Sequence, residues 1–144
     1  MRKKILTTTL IIISLIVTIP VVALQSKGII PLNGIDFSDL TPSAKKEVEC
    51  LADNIYFESA YEPTDGKIAV GMVTMNRVKH GFGDSVCGVV KQITNNSGSS
   101  ICQFSWWCED KPRVASISRR LTDAQLRVYN SIRDLAMFVY LNDD

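Results

Sequence analysis

Glu58 falls where a carboxylic acid is costly. The apolar positions Ala44, Val48, Leu51, Ala52 and Ile55 recur at helical spacing, and at about 100° per residue Glu58 lies within roughly 20° of Leu51, one turn after Ile55. The pattern therefore predicts Glu58 on a buried stripe. Burial in apolar surroundings raises a carboxylic acid's pKa, and an acid adjusted in that way can protonate a leaving sugar oxygen near neutral pH. The structural alternative is a carboxylate paired inside the fold with an arginine such as Arg77. Glu62 follows one further turn along, where the Cβ atoms of such a pair stand about 5–6 Å apart if the helix continues. Retaining glycosidases hold their two carboxyl groups about 5–5.5 Å apart, so the two could form an acid and nucleophile pair. Pro63 makes Glu62 a helix-end residue, however, and favours a carboxylate that fixes the loop.

Other polar residues offer less. Asn76 and Arg77 interrupt an apolar helix pattern, which suits groups that hold backbone or carboxylate atoms inside the fold. Gln103, Phe104, Ser105, Trp106 and Trp107 combine flat rings with short hydrogen-bonding groups, the mixture that holds sugar faces and hydroxyls; an ordinary strand with core aromatics explains them equally well. Ser105 or Cys87 as a nucleophile with His80 as base lacks an elbow or any local motif. Four cysteines, Cys50, Cys87, Cys102 and Cys108, read as a disulfide framework with three possible pairings. Zinc is disfavoured by the five-residue gap between Cys102 and Cys108 and by the single histidine, so no metal or cofactor is expected.

The elements that must position these residues fit one small domain. The chain has 144 residues, 46% of them hydrophobic and 22% charged, a globular balance with room for one modest core. Arg2, Lys3 and Lys4 precede an apolar run from Ile5 to Leu24, a targeting segment over residues 1–24. It is either a signal peptide cleaved after Ala23 or Ser26, or an uncleaved membrane anchor through residues 5–24; the remainder is exported to the periplasm or cell envelope in both cases. The net charge of +1 becomes −2 without those three cations, which argues against a nucleic-acid partner. Residues 25–40 read as a tether, and the domain spans 41–144. Thr41 followed by Pro42 starts a first helix running to about Ala60. A second helix from near Asp65 or Gly66 to Gly81 is apolar nearly all round and so is expected in the core. From His80 to Arg120 loops, a short helix and a small strand pair are expected. A last helix starts at Thr122 and carries Leu126, Tyr129, Ile132, Leu135, Ala136 and Val139 on its stripe.

Read together, several blocks resemble the SleB/CwlJ cell-wall hydrolase family: Cys50 to Ala52, Asn54 to Glu58, Glu62-Pro63, Gly66, Ala69-Val70, Asn76 to Val78, Asp84 to Val90, and Cys102 to Trp106. The resemblance covers about residues 48–110. It implies a mainly α (α+β) fold like the lysozyme-type lytic transglycosylases, with a small β-sheet beside the cleft, and peptidoglycan glycan strands as substrate. It makes Glu58 the expected catalytic acid and Tyr56, Glu62, Gln103, Phe104, Ser105 and Trp106 the expected substrate contacts. The reaction it implies cleaves the β-1,4 bond between N-acetylmuramic acid and N-acetylglucosamine, as a lytic transglycosylase or alternatively a hydrolytic muramidase. A zinc amidase would need more than one histidine. An anchored, non-catalytic peptidoglycan-binding protein is the alternative from another class. Two departures stand out. The family's usual Glu-Ala-Arg-Gly-Glu is Glu58-Ser59-Ala60-Tyr61-Glu62 here, and its Gly-Ala and Tyr-containing continuation does not appear before Asp144, which implies a domain shortened at that end.

Overall fold

The computed structural model describes residues 34–96, 98–109 and 121–143; the leader and the first part of the tether lie outside them. Helix α1 spans Pro42–Ser59 and α2 spans Thr64–Lys79. A short α3 covers Val86–Val90, and strands β1 (Ile93–Asn96) and β2 (Ser99–Cys102) form an antiparallel hairpin. One helical turn, α4, covers Ser105–Cys108, and the long α5 covers Asp123–Leu141. The architecture is mainly helical with one two-stranded sheet, an α+β domain as expected.

Caps set the helix starts. Thr41 accepts a hydrogen bond from Ala44 N–H at 3.2 Å with Pro42 behind it, and Thr122 accepts from Gln125 N–H at 3.3 Å. The end of α2 is a Schellman turn: Gly81, at φ +74°, donates to the Val78 carbonyl, and Phe82 N–H donates to that of Arg77. Val48, Leu51, Ala52 and Ile55 of α1 are fully buried at the centre of the core, each large side chain worth roughly 1.5–3 kcal/mol of burial. Around them pack Met75 of α2, Val86 and Val90 of α3, and Ile132, Ala136 and Val139 of α5. Gly71 lets α2 approach closely, because a Cβ there would stand 3.2 Å from Ile55 Cδ1 and 3.3 Å from Val139 Cγ1.

Two expectations change. Helix α2 is not enclosed: Met72 and Val73 are 50% and 55% exposed, and only Gly71, Thr74 and Met75 are buried. An apolar composition does not place a helix inside; α2 packs against α1, α3 and α5, and Met72 and Val73 lie on the face that remains exposed. The expected tether also ends earlier than Thr41. Residues Phe37–Asp39 form a 3-10 turn, Phe37 and Leu40 pack against the core, and the Arg133 guanidinium lies 4.7 Å from the Phe37 ring centre. Among the described residues no helix is long and apolar enough to cross a membrane.

Candidate active site

Two disulfides pin the site region. Cys50 of α1 bonds Cys87 of α3, with Cα atoms 5.2 Å apart, and Cys102 at the end of β2 bonds Cys108 of α4, with Cα atoms 5.8 Å apart. Glu47 reinforces the first by accepting the Cys87 N–H at 2.9 Å. Besides these covalent ties, a buried amide joins three helices. Asn54 donates from Nδ2 to Thr74 Oγ1 at 3.0 Å and accepts the Trp106 indole N–H on Oδ1 at 2.9 Å, while Thr74 donates on to the Val70 carbonyl. Sequence reasoning passed over this network. Its one signal was an asparagine in the middle of a core helix, where an amide is tolerated only with its bonds complete.

Glu58 sits one turn past Asn54 on the same row of α1, and Glu62 would be one turn further. Contacts on either side of Glu58, Asn54 to Thr74 and Glu62 Cβ close to Gly66, bracket it along the seam between α1 and α2. Its azimuth is the predicted one, but its burial is not: Glu58 is exposed. A helical wheel reports angle and not how far the neighbouring elements extend along the axis. Ser59, the next residue, is buried and donates to the Ile55 carbonyl, whereas Glu58 is exposed.

The alternative pairing with Arg77 is not made. Arg77 Nη2 instead donates to the side-chain carbonyls of Gln92 at 3.3 Å and Gln103 at 2.5 Å, and its guanidinium lies 4.5 Å from the Phe82 ring centre. Arg77 thus joins α2 to both strands at the base of the hairpin, which the Gln103 N–H to Gln92 carbonyl bond prolongs by one rung. Asn76, expected inside, is exposed; its backbone carbonyl accepts the His80 N–H. Glu62 is exposed beyond the end of α1, and it is its backbone carbonyl, not its carboxylate, that fixes the loop by accepting from the Lys67 ammonium.

The remaining predicted contacts divide. Phe104 is partly exposed and Ser105 exposed where β2 runs into α4. Trp106 is only 2% exposed, stacked on Phe57 at 4.6 Å between ring centres, so its ring faces the core rather than solvent. Tyr56 lies two residues before Glu58, about 160° round the helix. There it meets Tyr129 edge-on at 5.8 Å, on the α5 side and away from the Glu58 row. Beside it the buried Asp53 accepts the Tyr129 hydroxyl at 3.1 Å. Burial, and secondarily Asp53, pushes the Tyr129 hydroxyl's pKa far up, so it stays a donor to that carboxylate. No group of three metal-ligating side chains occurs among the described residues.

The family model described as Cell Wall Hydrolase matches residues 61–140, more than half of the chain. The chain belongs to the cell wall hydrolase family. No curated protein and no solved structure matches it. Family membership makes cell-wall peptidoglycan the substrate class and its degradation the role, and with two disulfides it assigns the domain to the outside of the cytoplasm. The match reaches further than the motif resemblance, to Tyr140, so α5 is part of the family's domain. It opens at Tyr61, just after Glu58, and includes Glu62, Arg77 and Gln103 to Trp106.

Proposed function

We propose that the chain is a lytic transglycosylase that cuts the β-1,4 bond between N-acetylmuramic acid and N-acetylglucosamine, with Glu58 as acid and then base. The observation that supports this reading is Glu58 itself: an exposed carboxyl group, with no partner among the described residues, on the last turn of a helix held by a disulfide and a buried amide network. A glycan strand lying across that turn excludes water from the carboxyl group as it docks. Glu58 protonates the bridging oxygen while the bond from muramic C1 breaks, and a cationic sugar forms. The Glu58 carboxylate next takes the proton of the muramic C6 hydroxyl, whose oxygen bonds to C1 and closes a 1,6-anhydro ring. No water is consumed, and Glu58 ends protonated as it began.

One carboxyl group suffices for this sequence. Asp53 is buried and accepts the Tyr129 hydroxyl, which engages it within the fold rather than with a sugar. In this reading Phe104 and Ser105 supply a ring and a hydroxyl to the neighbouring sugars, Gln103 is held in place by Arg77, and Trp106 is fixed by Asn54 and Phe57. Glu62, exposed just beyond the end of α1 and four residues after Glu58, favours a second reading, a hydrolytic muramidase in which Glu62 assists water. Mass spectrometry of wall fragments after borohydride treatment separates the two. Anhydro-muramic ends are one water lighter than hydrolysed ends and resist reduction. Reducible muramic ends would turn the assignment to a muramidase, and binding to wall without cleavage would leave only a peptidoglycan-binding protein.

A further inference from the structure

A recess of about 360 Å³ opens on the other flank of the end of α1, between the start of α2 and α5. Its lining includes the cations Lys67 and Arg127, the hydroxyl residues Thr64 and Ser131, and no carboxylate. Ile132 and Leu135, 2% and 5% exposed, give it an apolar floor. Lys67 is already oriented, because its ammonium is tied to the Glu62 carbonyl and keeps two further donors. Arg127 is exposed and makes no ion pair among the described residues, even with Asp123 one turn earlier. The glycosidic step uses none of these groups.

We propose that this recess binds a carboxylate of the acidic peptide that muramic acid carries in the cell wall. The inference rests on the reading of Glu58 as the site where the glycan strand lies. An arginine fork and an ammonium lining one recess, with two hydroxyls, match a carboxylate, and the apolar floor accepts the aliphatic side chain next to it. Reach is sufficient. Ala60, which lines the recess, is two residues on from Glu58. An extended peptide of three or four residues spans about 10–14 Å, enough to round the end of a helix about 10–12 Å wide. Tyr61, fully exposed, stands at that end. The glycan would then be gripped at the bond and, through its peptide, one helix away.

The test titrates the full chain calorimetrically with N-acetylmuramoyl dipeptide bearing free carboxylates and with its carboxamide form. The acid should bind about tenfold more tightly than the amide, and added salt should reduce that preference. Arg127→Gln should reduce the preference severalfold, Lys67 remaining, and Arg127→Glu should abolish it. Equal binding of both forms by the wild-type chain, no binding of either, or an unchanged preference in Arg127→Gln would overturn the proposal. The wild-type comparison decides even if a variant fails to fold. Glycan cleavage is followed in the same preparations: a carboxylate preference without cleavage removes the glycosidase reading and leaves the recess, whereas cleavage without the preference does the reverse.

Discussion

In the frame made by α1, α2 and α5, Leu51, Ile55 and Thr74 have no exposed surface and Ile132 almost none, whereas in the hairpin every strand residue except Cys102 is exposed, Ile93 and Ile101 by half or more. The frame is held by burial and by bonds hidden from water. The hairpin is held at its base, by Arg77 reaching Gln92 and Gln103 and by the Cys102–Cys108 disulfide. Glu58 stands on the frame, and Phe104 and Ser105 stand where the hairpin joins α4. The difference teaches that the proposed acid is positioned by the stable part and the proposed sugar contacts by the part that can yield.

The largest expected effect is chemical. Glu58→Gln keeps size and much hydrogen bonding but removes the transferable proton, so wall cleavage should fall at least about 10²-fold with the melting temperature unchanged. Glu62→Gln should cost less. Digestion at the wild-type rate by the Glu58→Gln protein would end its assignment as acid.

Stability effects should then follow the comparison. Replacing both Cys50 and Cys87 by Ser opens a loop of sequence separation 37, worth about 4 kcal/mol by loop-closure entropy. Asn54→Ala orphans the Trp106 N–H and one side of Thr74, and should cost about 2–3 kcal/mol in urea unfolding. Replacing Cys102 and Cys108 opens a separation of only 6, worth about 2 kcal/mol. If the second disulfide proves more costly than the first, the division between frame and hairpin is misplaced.

The smallest effect is a pH dependence. Tyr129 has its pKa raised above the ordinary 10.0 by burial first and by Asp53 second. The stability it contributes is fully present below about pH 10, and it declines above that as the tyrosine of the unfolded chain ionises. Urea midpoints should therefore fall more steeply above pH 10 in the wild type than in Tyr129→Phe. Parallel alkaline curves would show that the Asp53–Tyr129 bond contributes nothing to that dependence.

Local chemistry was legible in the sequence. Thr41-Pro42 and Thr122 marked helix starts because a cap needs only a side-chain oxygen and the next few backbone N–H groups. Gly81 marked an end because the turn there requires positive φ. The apolar stripe from Tyr129 to Val139 and an even set of cysteines in an exported chain were equally local or compositional signals, as were the motif blocks that pointed to the family. Tertiary structure decided the rest. Which cysteines pair, that Arg77 holds two glutamines rather than Glu58, that Asn54 joins three helices and that Met72 and Val73 face outward all depend on which element lies against which. Periodicity gives a side chain its azimuth on a helix; its burial depends on what lies against it there, and Glu58 is exposed although Leu51 and Asn54 on its row and Ser59 beside it are buried.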